Sequence, residues 1–432
     1  MYTPVPEAMT NTVQAPNAPH LAALTSWTLP TRLAFRFCFL YLLLFLVPRP
    51  FVNDPLPPLP LINTAVRRVW ELLLWGVTTR GLGWQGVDVR FNFGGGDVLV
   101  DYVRAACCII LAAVGTVVWS FAGRSQLAHP RLHEGLRIYL RVVLAIAMMG
   151  YALGKLFGTQ FGYSLMQLFR PVGQLEPMAL LWMFMGYSPA YAWATGVVEL
   201  VGGLLLVFRR TSTAGAILVL AAISNVVALN LTYDVQVKLY SIHLWLMAAF
   251  LLAPRVPLLA TAVFKNAADG WSPGVSARTR RASTVATMVL IGVALVLLVQ
   301  RFSENRRRGY PAELPPLVGV YEVTSFKLNG VPIPPLTTDT LRWRRMVVDP
   351  NGSVAVQMMN DSVRRYRSQI KESSNVMELS GAGTVMQFRY SKPTGETTVL
   401  AGGSGTQAME LELQQLPEQS LPLLARRFRW TR

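Results

Sequence analysis

Charge is scarce in this chain. Only 15% of its 432 residues are Asp, Glu, Lys or Arg, while 52% are hydrophobic; a soluble domain carries roughly a quarter charged residues. That balance excludes an ordinary soluble enzyme. Acids are the scarcer sign, 23 against 40 Lys plus Arg, for a net charge of +17. A basic excess suits nucleic acid only as a face on a soluble domain. Here many Arg residues sit in short loops between apolar runs, the pattern of a membrane protein, so no nucleic-acid partner is expected. Cysteine is nearly missing: Cys38, Cys107 and Cys108 all lie in apolar runs and form no C-x-x-C. The last third therefore has neither a disulfide framework nor a thiol redox motif. H-E-x-x-H, G-x-S-x-G and phosphate-loop patterns are absent, and Gly94-Gly95-Gly96-Asp97 is too short for nucleotide binding. Among the polar groups in and beside the spans, His243 and the distant acids Glu199 and Asp234 have no metal-ligand spacing, so no metal is expected.

What the chain has is long apolar runs. Seven stretches approach the ~20 residues that cross a bilayer as helix: 33–47, 103–122, 138–157, 189–208, 212–232, 238–253 and 284–300. The first is short enough for a signal peptide, but no small-residue cleavage site follows it and the chain runs into Pro48-Arg49-Pro50, so it reads as a retained anchor. With the N-terminus in the cytoplasm, the inward segments 123–137, 209–211 and 254–283 hold ten basic residues. The outward segments 158–188 and 233–237 hold only Arg170. That asymmetry orients the chain in a bacterial inner membrane with its C-terminus outside, although Arg306-Arg307-Arg308 follows the last span on the outer side. Two outer segments look structured. Residues 61–79 have helical apolar spacing suited to lying flat on the membrane, and residues 160–187, broken by Pro171, Gly173 and Pro177, read as an interfacial or re-entrant cover.

After about residue 303 the period changes to two. VGVYEVTSF, LRWRRMVV, SVAVQMM, VMQFRYS, TTVLAG, AMELELQQL and RRFRW alternate, separated by Asn329-Gly330, Asp349-Pro350-Asn351-Gly352 and Pro393-Thr394-Gly395. About eight short strands indicate an antiparallel barrel or sandwich, either filled by its own side chains or holding one apolar ligand. Arg342, Arg344, Arg345, Arg364, Arg365 and Arg367 read as a solvated face, with anionic headgroups as the sharper alternative.

Ionisable groups inside apolar spans are costly and therefore informative. Glu199 lies mid-span in GVVELVGGLLLVFRR, flanked by Gly196, Gly202 and Gly203. Small residues admit a neighbouring helix, so this acid is expected to face protein. Lys155 sits near the outer end of its span, Asn225 and Asn230 in the outer half of theirs, Asp234 and Lys238 bracket the next turn, and His243 follows. The expectation is a polar cavity in the outer half, with Glu199, Lys155 and His243 as acting groups and Asn225, Asn230, Asp234 and Lys238 as binding groups. Each also has a plain reading: an ion pair of Glu199 with Lys155, Asn side chains as interhelical glue, an exposed Asp234–Lys238 pair, and a satisfied histidine.

The motifs YALGKLF, with Lys155, and GVVELVGGLLLVFRRTSTAGA, with Glu199, Gly202 and Gly203, make residues 138–253 similar to the DoxX-like family of bacterial membrane proteins, and NVVALNLTYDVQVKLYSIHLWLMA resembles a larger subgroup with extra N-terminal helices and a C-terminal strand-rich domain. The resemblance implies a four-helix membrane bundle linked to redox chemistry, in some members a quinone-reducing complex. It brings no defined catalytic set, and the cysteine pairs of redox relatives are missing here.

The expected organisation is a flexible N-terminus (1–32), N-terminal spans with an outer amphipathic segment (33–137), a DoxX-like core (138–253), a basic loop with the last span (254–302), and a β-rich domain (303–432). The expected fold is an α-helical polytopic bundle of about seven spans followed by a small all-β barrel or sandwich. Two functions compete. One is a redox-associated subunit binding a quinone or other lipophilic molecule, fed by a redox partner protein. The other is a non-enzymatic scaffold or lipid-handling protein whose β domain binds a partner or apolar ligand. Either has the lipid bilayer as partner.

Overall fold

The computed structural model describes residues 27–46, 60–89, 97–123, 128–162, 164–265, 277–309, 317–381, 383–392, 396–405, 407–417, 420–421 and 423. The glycine run at 94–96, the turn 393–395, the strand expected at RRFRW and most of the N-terminal tail lie outside these residues. The chain forms two units, 1–141 and 142–432.

The first unit holds α1 (Leu29–Leu46), α2 (Pro60–Trp75), α3 (Leu99–Ala122) and the start of α4 (Pro130–Leu156). α2 is the expected amphipathic segment and runs into a π-helical turn, Gly76–Gly81. Trp70 and Leu74 of α2 pack against Val100, Cys107 and Cys108 of α3. Arg36 and Arg104 are buried within the spans. Arg36 donates from Nε to His129 Nε2 (3.2 Å), from Nη1 to Ser120 Oγ (2.8 Å) and from Nη2 to the Gly123 carbonyl (3.3 Å). Arg104 donates to the Phe45 carbonyl (2.7 Å) with its guanidinium against the Phe45 and Trp70 rings. Each cation thus receives the hydrogen bonds and aromatic faces that make its burial tolerable.

The second unit carries the rest of α4, then α5 (Pro177–Tyr187), α6 (Pro189–Val207), α7 (Ser212–Thr232), α8 (Lys238–Leu252), α9 (Val256–Lys265) and α10 (Ala277–Gly309). The helices long and apolar enough to cross a membrane number seven among the described residues: Leu29–Leu46, Leu99–Ala122, Pro130–Leu156, Pro189–Val207, Ser212–Thr232, Lys238–Thr261 and Thr284–Arg307. All seven expected runs are therefore helices, several of them longer than the apolar run alone. Glycines set the close approaches. A Cβ at Gly196 would lie 3.1 Å from Lys155 Cβ, one at Gly203 3.1 Å from the Ala145 carbonyl, and one at Gly215 2.8 Å from the Leu206 nitrogen. The glycine flanks of Glu199 thus seat α6 against α4, as small residues do between membrane helices. Between α4 and α6 the chain forms 3-10 turns at Leu165–Phe169 and Val172–Gln174 and the short apolar α5.

Beyond α10 comes the β domain: β1 (Gly319–Leu328), β2 (Val331–Pro332), β3 (Trp343–Val348), β4 (Ser353–Met358), β5 (Val363–Lys371), β6 (Val376–Gly381), β7 (Thr384–Ser391), β8 (Thr397–Ser404) and β9 (Gln407–Gln415). Every pairing is antiparallel in the order β1-β3-β4-β5-β6-β7-β8-β9, and β9 returns to β1. Eight strands close a barrel, with β2 a short addition to β1. Closure removes the sheet edges that would otherwise invite pairing with other chains. The interior is filled by Tyr321, Phe326, Trp343, Met346, Met377, Phe388, Leu400, Leu411 and their neighbours. Burying each such side chain contributes about 1.5–3 kcal/mol. An irregularity between Val323 and Ser325 shifts the β1 register against β9, so Val323 and Phe326 both face inward, as a bulge allows. Asn329 and Gly330 both adopt positive φ in the β1–β2 turn, the conformation their types favour in a tight hairpin.

Candidate functional site

The structure joins Lys155 and Glu199 across two helices. Lys155 Nζ donates to Glu199 Oε2 at 2.6 Å, and the side chains are only 5% and 4% exposed. Lys155 reaches this depth because α4 runs antiparallel to α6 and Gly196 leaves room beside its Cβ. The ammonium also lies over the rings of Tyr151 (5.4 Å) and Phe161 (5.7 Å). Tyr151 stacks with Tyr240 of α8 (6.1 Å), and Phe161 meets Trp182 of α5 edge-on (5.4 Å). The ion pair therefore sits under aromatic side chains drawn from α4, α5, α8 and the segment after α4. A buried ion pair is weak evidence for stability, since a well-packed apolar pair often does as well. What it supplies chemically is a strong donor and a carboxylate at one protein-enclosed point.

The other predicted residues take separate places. Asn230 is buried, its carbonyl accepts from Val235 N–H (3.1 Å), and its Nδ2 finds no acceptor among the described residues. Asn225 is exposed on α7. Asp234 and Lys238 pair with each other at 2.6 Å, with Asp234 largely exposed. His243 is buried, with Nδ1 2.7 Å from the Leu239 carbonyl one turn back. Among the described residues, no group of three or more His, Cys, Asp or Glu side chains stands together to hold a metal.

A second constellation joins the segment between α4 and α5 to the barrel. Ser164 Oγ donates to Asp349 Oδ2 (2.8 Å) and the Leu165 N–H to Asp349 Oδ1 (3.0 Å). Met166, with Leu165 and Phe169, packs on Val320, Val347 and Ala355. Arg345 lies over the Phe169 ring (4.9 Å) and donates to Gln357 Oε1 (3.2 Å). Burial lowers the pKa of this guanidinium, with the neighbouring Arg344 adding to the effect. The sequence signal for this contact was the run of small apolar side chains on the outward positions of β1, β3 and β4, where alternation would place polar ones.

These features define a multi-pass helical membrane protein with a closed β-barrel at its C-terminal side. Among known proteins, the Uncharacterized protein YwoB of Bacillus subtilis (strain 168) is 31% identical over 112 residues, covering 26% of this chain and 71% of YwoB. The chain belongs to the same family as YwoB. No family model matches it, and no solved structure matches it significantly.

Proposed function

We propose that this membrane protein binds a lipophilic, hydrogen-bonding molecule, of which a quinone is the type, at the Lys155–Glu199 pair. The observation that carries the reading is the enclosure of that pair beneath Tyr151 and Phe161, in a bundle where an apolar pair would pack at lower desolvation cost. Lys155 Nζ would donate to a ligand carbonyl, and Glu199 would accept or return a proton, as quinone chemistry requires of its surroundings. Electrons would come from a redox partner protein. The DoxX-like resemblance of the Lys155 and Glu199 motifs points the same way. The orientation that fits the basic loops is an inner-membrane protein with a cytoplasmic N-terminus and an outer barrel.

The test uses the full chain in lipid nanodiscs and a short-chain benzoquinone as probe. The double variant Lys155→Met with Glu199→Leu keeps the helix contact and removes the charges. At least tenfold weaker binding by the double variant is expected; equal binding by both proteins would defeat the reading. The scaffold reading has its own support in the filled barrel interior and in the seating of Leu165–Phe169 on the barrel wall.

A further inference from the structure

We infer that Arg365 and Arg367 of β5 bind the phosphates of anionic phospholipids in the bilayer that carries the bundle, laying this wall of the barrel against the headgroups. Six arginines stand in or beside β3 and β5, and the structure sorts them. Four are used within the protein. Arg342 is buried and donates to the Ile333 carbonyl. Arg344 pairs with Asp361 at 2.8 Å. Arg345 lies over the Phe169 ring and donates to Gln357. Arg364 donates to the Thr340 carbonyl (3.2 Å). Arg365 and Arg367 are exposed, and among the described residues neither side chain has an ion pair or a hydrogen bond.

Strand alternation fixes where the two point. Tyr366 packs on the barrel interior, so its neighbours Arg365 and Arg367 face outward. One outward row runs across the strands as Val320, Val347, Ala355 and Arg365. Its first three members are the seat of Leu165, Met166 and Phe169, so Arg365 borders the part of the wall that meets the helical segment. Arg367 stands in the next row, between Ser353 and Ser380. Small neutral neighbours leave both guanidinium groups open, and two cations about 7 Å apart along one strand face repel each other. A phosphate between them removes that repulsion, and guanidinium binds phosphate through paired N–H donors. The bilayer is the anion within reach. Phe169 lies shortly before α5, whose Leu181 and Met185 cluster with Val235 in the α7–α8 turn. That turn joins two helices long enough to span a membrane, so the wall beside Arg365 is held near a span end, at headgroup level. The last apolar helix, Thr284–Arg307, ends in the exposed Arg306 and Arg307, and the barrel core begins at Leu317. Cations at that end suit an anionic surface, where each basic side chain shifts occupancy about fivefold.

The full chain in nanodiscs tests this. Gln369→Cys, exposed on the same outward face, is labelled with bimane in a chain whose Cys38, Cys107 and Cys108 are replaced by alanine. Quenching by a phospholipid with a nitroxide on its headgroup then reports how near β5 lies to the membrane surface. The lipids are phosphatidylcholine alone and phosphatidylcholine mixed with phosphatidylglycerol. Quenching is expected to be at least twofold greater in the mixture. Arg365→Gln with Arg367→Gln should return it to the phosphatidylcholine level, and so should high salt. Arg365→Lys with Arg367→Lys should keep most of the increase. Arg344→Gln, which removes a cation already paired with Asp361, should keep all of it. Equal quenching in the two lipids, or an increase that survives the double glutamine variant, would overturn the proposal and leave the two arginines to an acidic protein. If the glutamine variant loses amide protection in the barrel, the lipid and salt comparison with both arginines in place decides alone. Benzoquinone binding at the Lys155–Glu199 pair is a separate measurement, so either proposal can fail without the other.

Discussion

At the scale of single residues, the Lys155–Glu199 pair is costly to break and cheap to replace. Lys155→Met alone leaves a carboxylate in a nearly sealed site, a change that typically costs about 3–5 kcal/mol. The double variant with Glu199→Leu should recover most of that loss. Thermal or denaturant unfolding of the detergent-solubilised chain checks both. A double variant as unstable as the single one would show that the pair itself holds the helices together. Much of this pair was legible beforehand, because a mid-span acid flanked by glycines has few places to go. Arg36 and Arg104 were not read out: each lies near a span end, where a long cation ordinarily reaches the interface, and only the folded chain brings His129, Ser120 or the Phe45 carbonyl to it. Asn225, read from its sequence position as a binding group, is exposed on α7, a matter of helical phase that sequence position alone does not fix.

At the scale of elements, backbone approach governs. A Cβ at Gly215 would meet the Leu206 nitrogen and the Leu205 carbonyl carbon at 2.8 and 2.9 Å, both main-chain atoms. Gly215→Ala should therefore push α7 from α6 and cost about 1–3 kcal/mol, the usual range for overpacking, measured as a lowered melting temperature. In the barrel, a Cβ at Gly402 would lie 2.0 Å from the Gln387 carbonyl oxygen. Gly402→Val is expected to abolish β7–β8 pairing, seen as loss of amide protection across both strands, while the helices remain. Strands β5 and β6 escaped the sequence reading. VRRYRSQIK has no fully buried residue, so the alternation that Tyr366 and Ile370 carry is masked by arginines, and VMELSG has only two buried side chains, Met377 and Leu379. Both are recruited by their neighbours: Tyr366 and Ile370 pair opposite Val354 and Met377.

At the scale of the whole molecule, the barrel and the bundle answer to different solvents, and pH separates them. Asp339 accepts from the Leu341 and Arg342 amides (2.6 and 3.0 Å), and these bonds hold its carboxyl below the ordinary aspartate value of 3.8. A depressed carboxylate stabilises the fold fully above its unfolded pKa and loses that contribution as pH falls through the folded one. Barrel stability should thus decline below pH 3.8, and Asp339→Asn should flatten that decline; tryptophan fluorescence of Trp343, buried in the barrel, reports it. The proposed orientation predicts that protease added to spheroplasts cleaves the barrel without lysis. Protection until the membrane is opened would place the barrel inside.

The order of residues along the chain was enough to determine the long apolar helices, their number, the amphipathic helix α2 and the strand-built C-terminal domain, because each depends on local period and on the free-energy cost of placing backbone and charge in hydrocarbon. Barrel closure, the burial of Arg36 and Arg104, and the seating of Ser164 and Leu165 on Asp349 were decided only by the tertiary structure. These are contacts between residues 59 to 185 positions apart in the chain, and a one-dimensional pattern carries no record of which distant groups packing will bring within hydrogen-bonding reach.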